Sequence, residues 1–198
     1  MISIFDKNNK LNEHRNSLDI TYPRRVNIIY GNYPYPEILN YFMIKIRDNL
    51  DVKMKNQTNV KGKMTSWGLF LEDENFKKFI VHLINKYQFT HPTIFEHFLQ
   101  KKLIKNAWGN EIKSGDSLTY HTHPEFHGIL YLTQGCDLIF PELNIKMTPE
   151  PGDYYILPGH IYHGFDTYVG ETNRYSLAFN ITQHHDAFEY TRLKNGTR

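Results

Sequence analysis

Apolar residues change their spacing part-way along this chain, and the change divides it. Before residue 107 they recur at helical intervals: Ile38, Leu39, Phe42, Met43, Ile46 and Leu50 form one stripe. That stripe predicts an amphipathic helix over 36–50, with Pro36 where a first helical turn tolerates it. A second stripe, Phe76, Phe79, Ile80, Leu83, Ile84 and Tyr87, follows the acidic run Glu72-Asp73-Glu74. Acids there suit the positive end of a helix dipole. Phe95, Phe98, Leu99 and Leu103 predict a third helix over 93–103. Arg25–Tyr30 reads as a short strand closed by Gly31-Asn32, and residues 1–23 as a loose polar arm without periodicity. Residues 51–66, with Lys53, Lys55, Lys61 and Lys63, read as a solvated loop. The functional alternative there is a lid whose lysines recruit an acidic substrate.

From Ala107 onward short alternating runs are split by Gly, Pro and Asn. They predict strands near 107–112, 117–122, 127–133, 136–140, 144–148, 153–157, 160–166 and 173–181. Helices first and strands afterwards indicate an α+β fold, a jelly-roll-like, cupin-like β-sandwich with the N-terminal helices packed against its major sheet. The expected organisation is one domain over 1–198: helical support to 106, a β core over 107–181, and a frayed basic tail over 182–198.

Composition narrows the class of partner. A chain of 198 residues, 40% hydrophobic and 22% charged, has the make-up of a globular protein with one core. A net charge of +2 gives no electrostatic case for nucleic acid or an anionic membrane surface. A single cysteine, Cys136, leaves no partner for an intramolecular disulfide and suits a reducing compartment; within its apolar run it reads as a buried thiol. No run approaches the about 20 apolar residues of a membrane span, and the first residues lack the pattern of a secretory signal. The expected compartment is the cytoplasm.

Candidate chemistry is concentrated between Gly115 and Asn180. In His121-Thr122-His123, strict alternation puts Ser117, Thr119, His121 and His123 on one strand face, opposite Leu118 and Tyr120. Two imidazoles on one face converge on a point. A turn, strand and second turn, Gly152 to Pro158 and on to His163, return a third histidine to the rim. Neutral imidazole suits iron, zinc, copper and nickel alike. The ligand set has an alternative, because a slip to His123-Pro124-Glu125 brings in a carboxylate, at the cost of the fixed dihedral of Pro124. His82, His91 and His97 have no spaced partner and read as ordinary surface or packed histidines.

On the last strand, Arg174, Ser176, Ala178 and Asn180 share one face, and Tyr175, Leu177, Phe179 and Ile181 the other. The second face is apolar and fit to lie under helices. The first lines a cavity, and an arginine there requires an anion, because a buried unpaired charge is costly. A guanidinium holds a carboxylate bidentately, and Ser176 and inward-facing Tyr131 add hydroxyls. The competing expectation is an internal salt bridge from Arg174 to Asp153 or Glu171.

At these residues the sequence resembles the Fe(II)- and 2-oxoglutarate-dependent oxygenases, and within them small phage and bacterial oxygenases distantly similar to prolyl hydroxylases. The matching text is Trp108, His121-Thr122-His123-Pro124, Gly128 to Leu132, Gly152-Asp153 with Pro158 and His163, and Arg174 to Asn180. The resemblance implies a double-stranded β-helix, with Fe(II) held by His121 and His163. His123 stands where most relatives have a carboxylate. It also implies that Arg174, with Ser176, Tyr131 and Asn180, binds 2-oxoglutarate as cosubstrate. The implied reaction uses O2, converts 2-oxoglutarate to succinate and CO2, and hydroxylates an amino-acid, peptidyl or other small-molecule substrate. A phage-encoded protein acting in its host's cytoplasm is the corresponding setting. Two rival classes share the histidine blocks: a cupin-type three-histidine dioxygenase or isomerase that uses no oxo-acid, and a non-catalytic cupin-like binding domain. Arg174 with Ser176 separates the oxygenases from the cupin-type enzyme, which has no need of them.

Overall fold

A computed structural model describes residues 2–6, 24–51, 59–87, 104–123 and 126–181. Eleven strands and two helices are present among them. The strands are β1 (Ile2–Asp6), β2 (Arg24–Asn32), β3 (Lys63–Met64), β4 (Ile104–Ile112), β5 (Leu118–His121) and β6 (Phe126–Tyr131). They continue as β7 (Leu138–Phe140), β8 (Ile145–Met147), β9 (Asp153–Leu157), β10 (His163–Phe165) and β11 (Arg174–Ile181). The helices are α1 (Pro36–Asp48) and α2 (Glu74–Tyr87). Every strand predicted from Ala107 onward is present. The helix predicted over 93–103, the tail over 182–198, and His91 and His97 lie outside the described residues.

Two sheets face one another. The major sheet has seven strands in the order β1-β2-β9-β6-β11-β4-β3, and the minor sheet four in the order β5-β10-β7-β8. Period-2 alternation along the central strands gives the major sheet two different faces. Leu130, Leu132, Tyr154, Ile156, Tyr175, Leu177, Phe179 and Ile181 are buried against the helix stripes Leu39, Phe42, Ile46 and Phe76, Phe79, Leu83. Ile28, Ile129, Tyr131, Tyr155 and Leu157 point the other way and meet Leu138, Phe140 and Ile161 between the sheets.

Two glycines permit the helix layer to sit this close. A Cβ at Gly128 would lie 2.1 Å from the ring of Phe179, and one at Gly109 would lie 2.2 Å from Ile46. The first helical turn of α2 is closed by Asp73, whose carboxylate accepts the amides of Asn75 and Phe76 at 3.0 and 2.9 Å. The other carboxylate oxygen of Asp73 receives Tyr41 (2.6 Å) and Lys45 (2.5 Å) from α1, so one residue caps one helix and clamps the other.

Two expectations need correction. The arm over 1–23 is not wholly loose: Ile2–Asp6 pairs antiparallel with β2 as an edge strand, where backbone hydrogen bonds rather than periodicity decide the conformation. The loop over 51–66 likewise contains β3, paired with β4, and Val60 bridges to Leu118, so this segment closes the side of the sandwich beside β5. Residues 52–58, including Lys53 and Lys55, lie outside the described residues.

Candidate metal centre and anion site

The site lies between the sheets, toward the end where β5 and β10 pair. His163 on β10 stands directly across from His121 on β5. Each donates its Nδ1–H to the carbonyl two residues before it, Thr119 and Ile161 respectively, both at 2.8 Å. A carbonyl only accepts, so the proton is on Nδ1 and each Nε2 carries a free lone pair in the neutral ring. His123 follows the end of β5, its amide held by the Gly159 carbonyl at 2.7 Å. One nitrogen from each of His121, His123 and His163 falls within 4.8 Å of the other two.

Burial keeps these rings neutral. It lowers the pKa of His121 against the Thr119 bond that raises it. It brings His123 to about 3, helped by His121 and His163. His163 falls to about 4, burial outweighing the opposing bond to Ile161. Three neutral imidazoles facing one point fit a transition-metal ion. The Nε2 of His163 is buried without a hydrogen-bond partner, an acceptor that lacks only a cation. His121 Nε2 and His123 Nε2 are 3.1 Å apart. Ligand nitrogens about 2.1 Å from a shared ion, at right angles, are separated by about 3 Å.

The alternation used for β5 holds only in part. The pairing of β10 with β5 shifts register between His163 and Phe165, a bulge that turns Leu118 into the same cavity as His121. Thr119 therefore faces solvent and serves through its carbonyl. His163 is not at the rim but fully inside, 1% exposed, while His121 and His123 are the half-buried pair nearer solvent. The alternative ligand Glu125 lies outside the described residues.

The wall opposite the histidines is a grid written by register across β6, β11 and β4. Tyr131, Ser176 and Asn110 form one row, Ile129, Ala178 and Trp108 the next, and His127, Asn180 and Asn106 the third. The cleft between the sheets encloses about 490 Å³, counting solvent at its mouth, and Arg174, Tyr131, Ser176 and the three histidines all line it. Among the described residues, no carboxylate lines it.

Arg174 is 3% exposed, with its guanidinium between the rings of Tyr131 and Phe165 at 4.8 and 4.7 Å. Its Nη1 donates to the Cys136 sulfur at 3.0 Å, and its Nε has no partner. The expected salt bridge is absent among the described residues: Asp153 instead accepts from Asn32 and from the Glu150 amide, and Glu171 is exposed. Burial raises Tyr131 to about 12, against the lowering influence of Arg174, so its phenol remains a donor. Ser176 Oγ accepts a long bond from Asn110 at 3.4 Å. Cys136 is half-buried rather than sunk in the core, its thiol beside the arginine.

Asn180 keeps the predicted face but not the predicted neighbourhood. It sits two rows from Ser176, with its Oδ1 turned to His127 Nδ1 at 2.8 Å. His127 and Asn110 were not singled out from the sequence. Both lie on cavity-facing positions that period 2 identifies, two residues from Ile129 and from Trp108, but no spacing marks either as chemical. His82 is half-buried and edge-on to Tyr33 and Tyr154, away from the cavity.

No family profile matches the sequence, and no curated protein matches it. Solved structures do. A viral collagen prolyl hydroxylase from Paramecium bursaria Chlorella virus-1, solved with 2-oxoglutarate, superposes with a TM-score of 0.60 at 11% identity, over 79% of this chain and 96% of that one. A Pseudomonas putida prolyl-4-hydroxylase gives 0.57 at 12% identity, over 79% and 92%. HygX from Streptomyces hygroscopicus, solved with nickel and 2-oxoglutarate, gives 0.59 at 11% identity, over 81% and 84%. At such identities the likeness is one of fold. The fold is the double-stranded β-helix, here with open rather than closed sheets.

Proposed function

We propose that this protein is a metal- and 2-oxoglutarate-dependent oxygenase, with Fe(II) held by His121, His123 and His163. The observation that carries this reading is Arg174: a buried cation with no carboxylate partner among the described residues, lining the same cleft as three converging neutral imidazoles. A divalent ion plus Arg174 would give that cleft a formal charge of +3 with no acidic residue among its described lining residues, which calls for a dianion. 2-Oxoglutarate, a five-carbon keto diacid, offers one carboxylate to each end.

When bound, iron would supply the activation of O2 and the redox chemistry that couples loss of CO2 from the oxo-acid to hydroxylation. The chain's own residues bind, orient and shield. Arg174 takes the distal carboxylate through its unpartnered Nε–H and an Nη, the Tyr131 phenol donates a further hydrogen bond, and Ser176 adds its hydroxyl. Phe165 and Tyr131 flank the guanidinium and keep water from it. Trp108, Ile129, Leu138 and Ala178 exclude water, which strengthens the charge pairing. An amino-acid or peptidyl primary substrate is the finer part of the proposal, supported by the fold shared with prolyl hydroxylases.

The three-histidine shell also suits a cupin-type dioxygenase that needs no oxo-acid, so the test must separate the two. Anaerobic Fe(II) with 2-oxoglutarate is expected to give a weak visible charge-transfer band, lost in Arg174→Ala; in a separate assay with O2 admitted, CO2 release from carboxyl-labelled 2-oxoglutarate is expected to be lost in the same variant. Demonstrable iron binding with no band in the wild type overturns the oxo-acid reading and leaves the cupin one.

A further inference from the structure

The three clustered histidines are not fixed in the same way. His121 and His163 each lock their ring by an Nδ1 bond to the backbone carbonyl two residues before them. His123 stands beyond the end of β5 and has no such bond: among the described residues its ring nitrogens meet nothing but His121 Nε2. An imidazole on a segment outside the sheet, free to turn about χ2, presents its lone pair to the other two ligands only part of the time. Something else must hold it.

That something is a fourth histidine. The ring of His123 lies flat on His127, with centroids 3.8 Å apart and planes within 4°. His127 is fully buried on β6, its Nδ1 tied to Asn180 Oδ1 at 2.8 Å and its ring 5.8 Å from Trp108. The tie crosses from β6 to β11 at paired positions, so the plane of His127 is set by the register of the major sheet. His127 is not placed to act as a fourth ligand. Its Nδ1 is engaged by Asn180, and the converging set consists of His121, His123 and His163.

We propose that His127, held by Asn180, is a positioning residue. It fixes the plane of His123 by face-to-face stacking and so supplies the orientation that backbone carbonyls give to the other two ligands. This assigns Asn180 a role in building the metal shell from behind instead of in holding cosubstrate. It also gives the major sheet, which contributes none of the three clustered histidines, control over one of them. Outer-shell partners of metal-binding histidines typically account for about 10- to 100-fold in metal affinity, and here a ring surface takes the place of a hydrogen bond. The inference rests on the three histidines being a metal site.

The experiment is a calorimetric titration of Co(II) into the full-length protein and its variants, with the Co(II) visible spectrum as a coordination readout and thermal unfolding of the metal-free forms as a check on fold. His127→Ala is expected to bind Co(II) about 10- to 100-fold more weakly, with an altered visible spectrum. His127→Phe keeps a flat ring but discards the nitrogen that Asn180 holds; it is expected to match Asn180→Leu, with a loss smaller than that of His127→Ala. Asn180→Leu, which frees the His127 ring, weakens binding in the same direction as His127→Ala. Should His127→Ala fail to fold, Asn180→Leu carries the test, and wild-type affinity in it overturns the proposal. Wild-type affinity in both His127→Ala and Asn180→Leu overturns the proposal. A loss in His127→Phe equal to that in His127→Ala overturns it too, because the stacked ring face then contributes nothing. A wild type that binds no Co(II) fails the metal reading itself and is distinct from either result.

Discussion

Arg174 shows how narrowly one side chain is confined. Rings hold it on two sides, and on a third Gly135 leaves room: a Cβ there would come 2.3 Å from Arg174 Cδ and 2.7 Å from Cγ. Gly135→Ala should therefore push the guanidinium off its axis without touching any histidine. The expected outcome is about 10-fold weaker 2-oxoglutarate binding, on the order of 1.4 kcal/mol, with metal affinity unchanged; titration of the oxo-acid into metal-loaded protein measures it. Unchanged oxo-acid affinity would mean that the guanidinium is not the anchor. Arginine was legible as an anion-binder because its strand face could be read from period 2. That no carboxylate among the described residues pairs with it was not, since candidate acids were spread along the chain and only packing decides which of them approach.

At the scale of elements, the joint between α1 and α2 is Asp73. Burial alone would raise its pKa, but bonds from Lys45, Tyr41 and the Phe76 amide hold it below the ordinary 3.8. A carboxylate depressed in the folded state contributes stability that is full above its unfolded value and lost as pH falls through the folded one. Acid unfolding should thus show a component below about pH 3.8 that is missing in Asp73→Asn. Asp73→Ala removes cap and clamp together and should cost about 1–3 kcal/mol at neutral pH by denaturant unfolding. A neutral-pH loss under about 0.5 kcal/mol would show that the cap is redundant. Between helices and sheet, Phe79 is fully buried among Tyr33, Phe76, Tyr154 and Phe179. Phe79→Ala should cost about 3–5 kcal/mol, whereas truncation of exposed Val81 on the same helix should cost under about 0.5. A comparable loss at both positions would refute this account of the helix stripe.

Across the whole molecule, the candidate ligands and the anion anchor belong to different sheets. His121 and His163 are on the minor sheet, with His123 just past it, and Arg174, Ser176 and Tyr131 are on the major one. A dianion reaching from a metal to Arg174 would tie the sheets together. Metal and 2-oxoglutarate together should then raise the melting temperature by more than the sum of their separate shifts. Each ligand present at about 100 times its dissociation constant contributes on the order of 2.7 kcal/mol, a shift of several degrees. Purely additive shifts in anaerobic scanning calorimetry would place the two ligands in unconnected sites.

The sequence by itself determined the elements and their faces. Spacing of 3.6 set the buried stripes of α1 and α2, and spacing of 2 set the two sides of β6, β9 and β11, because side-chain direction follows locally from backbone geometry. It likewise brought out His121, His123, His163 and Arg174 as residue types that packing alone does not require. Tertiary structure decided what no local period encodes. The bulge between β5 and β10 turned Leu118 inward and Thr119 outward, since register is a property of two strands. Ile2–Asp6 became a strand because β2 offered it an edge. His127 and Asn180, more than fifty residues apart, became one unit because β6 and β11 pair in a register that sets them side by side.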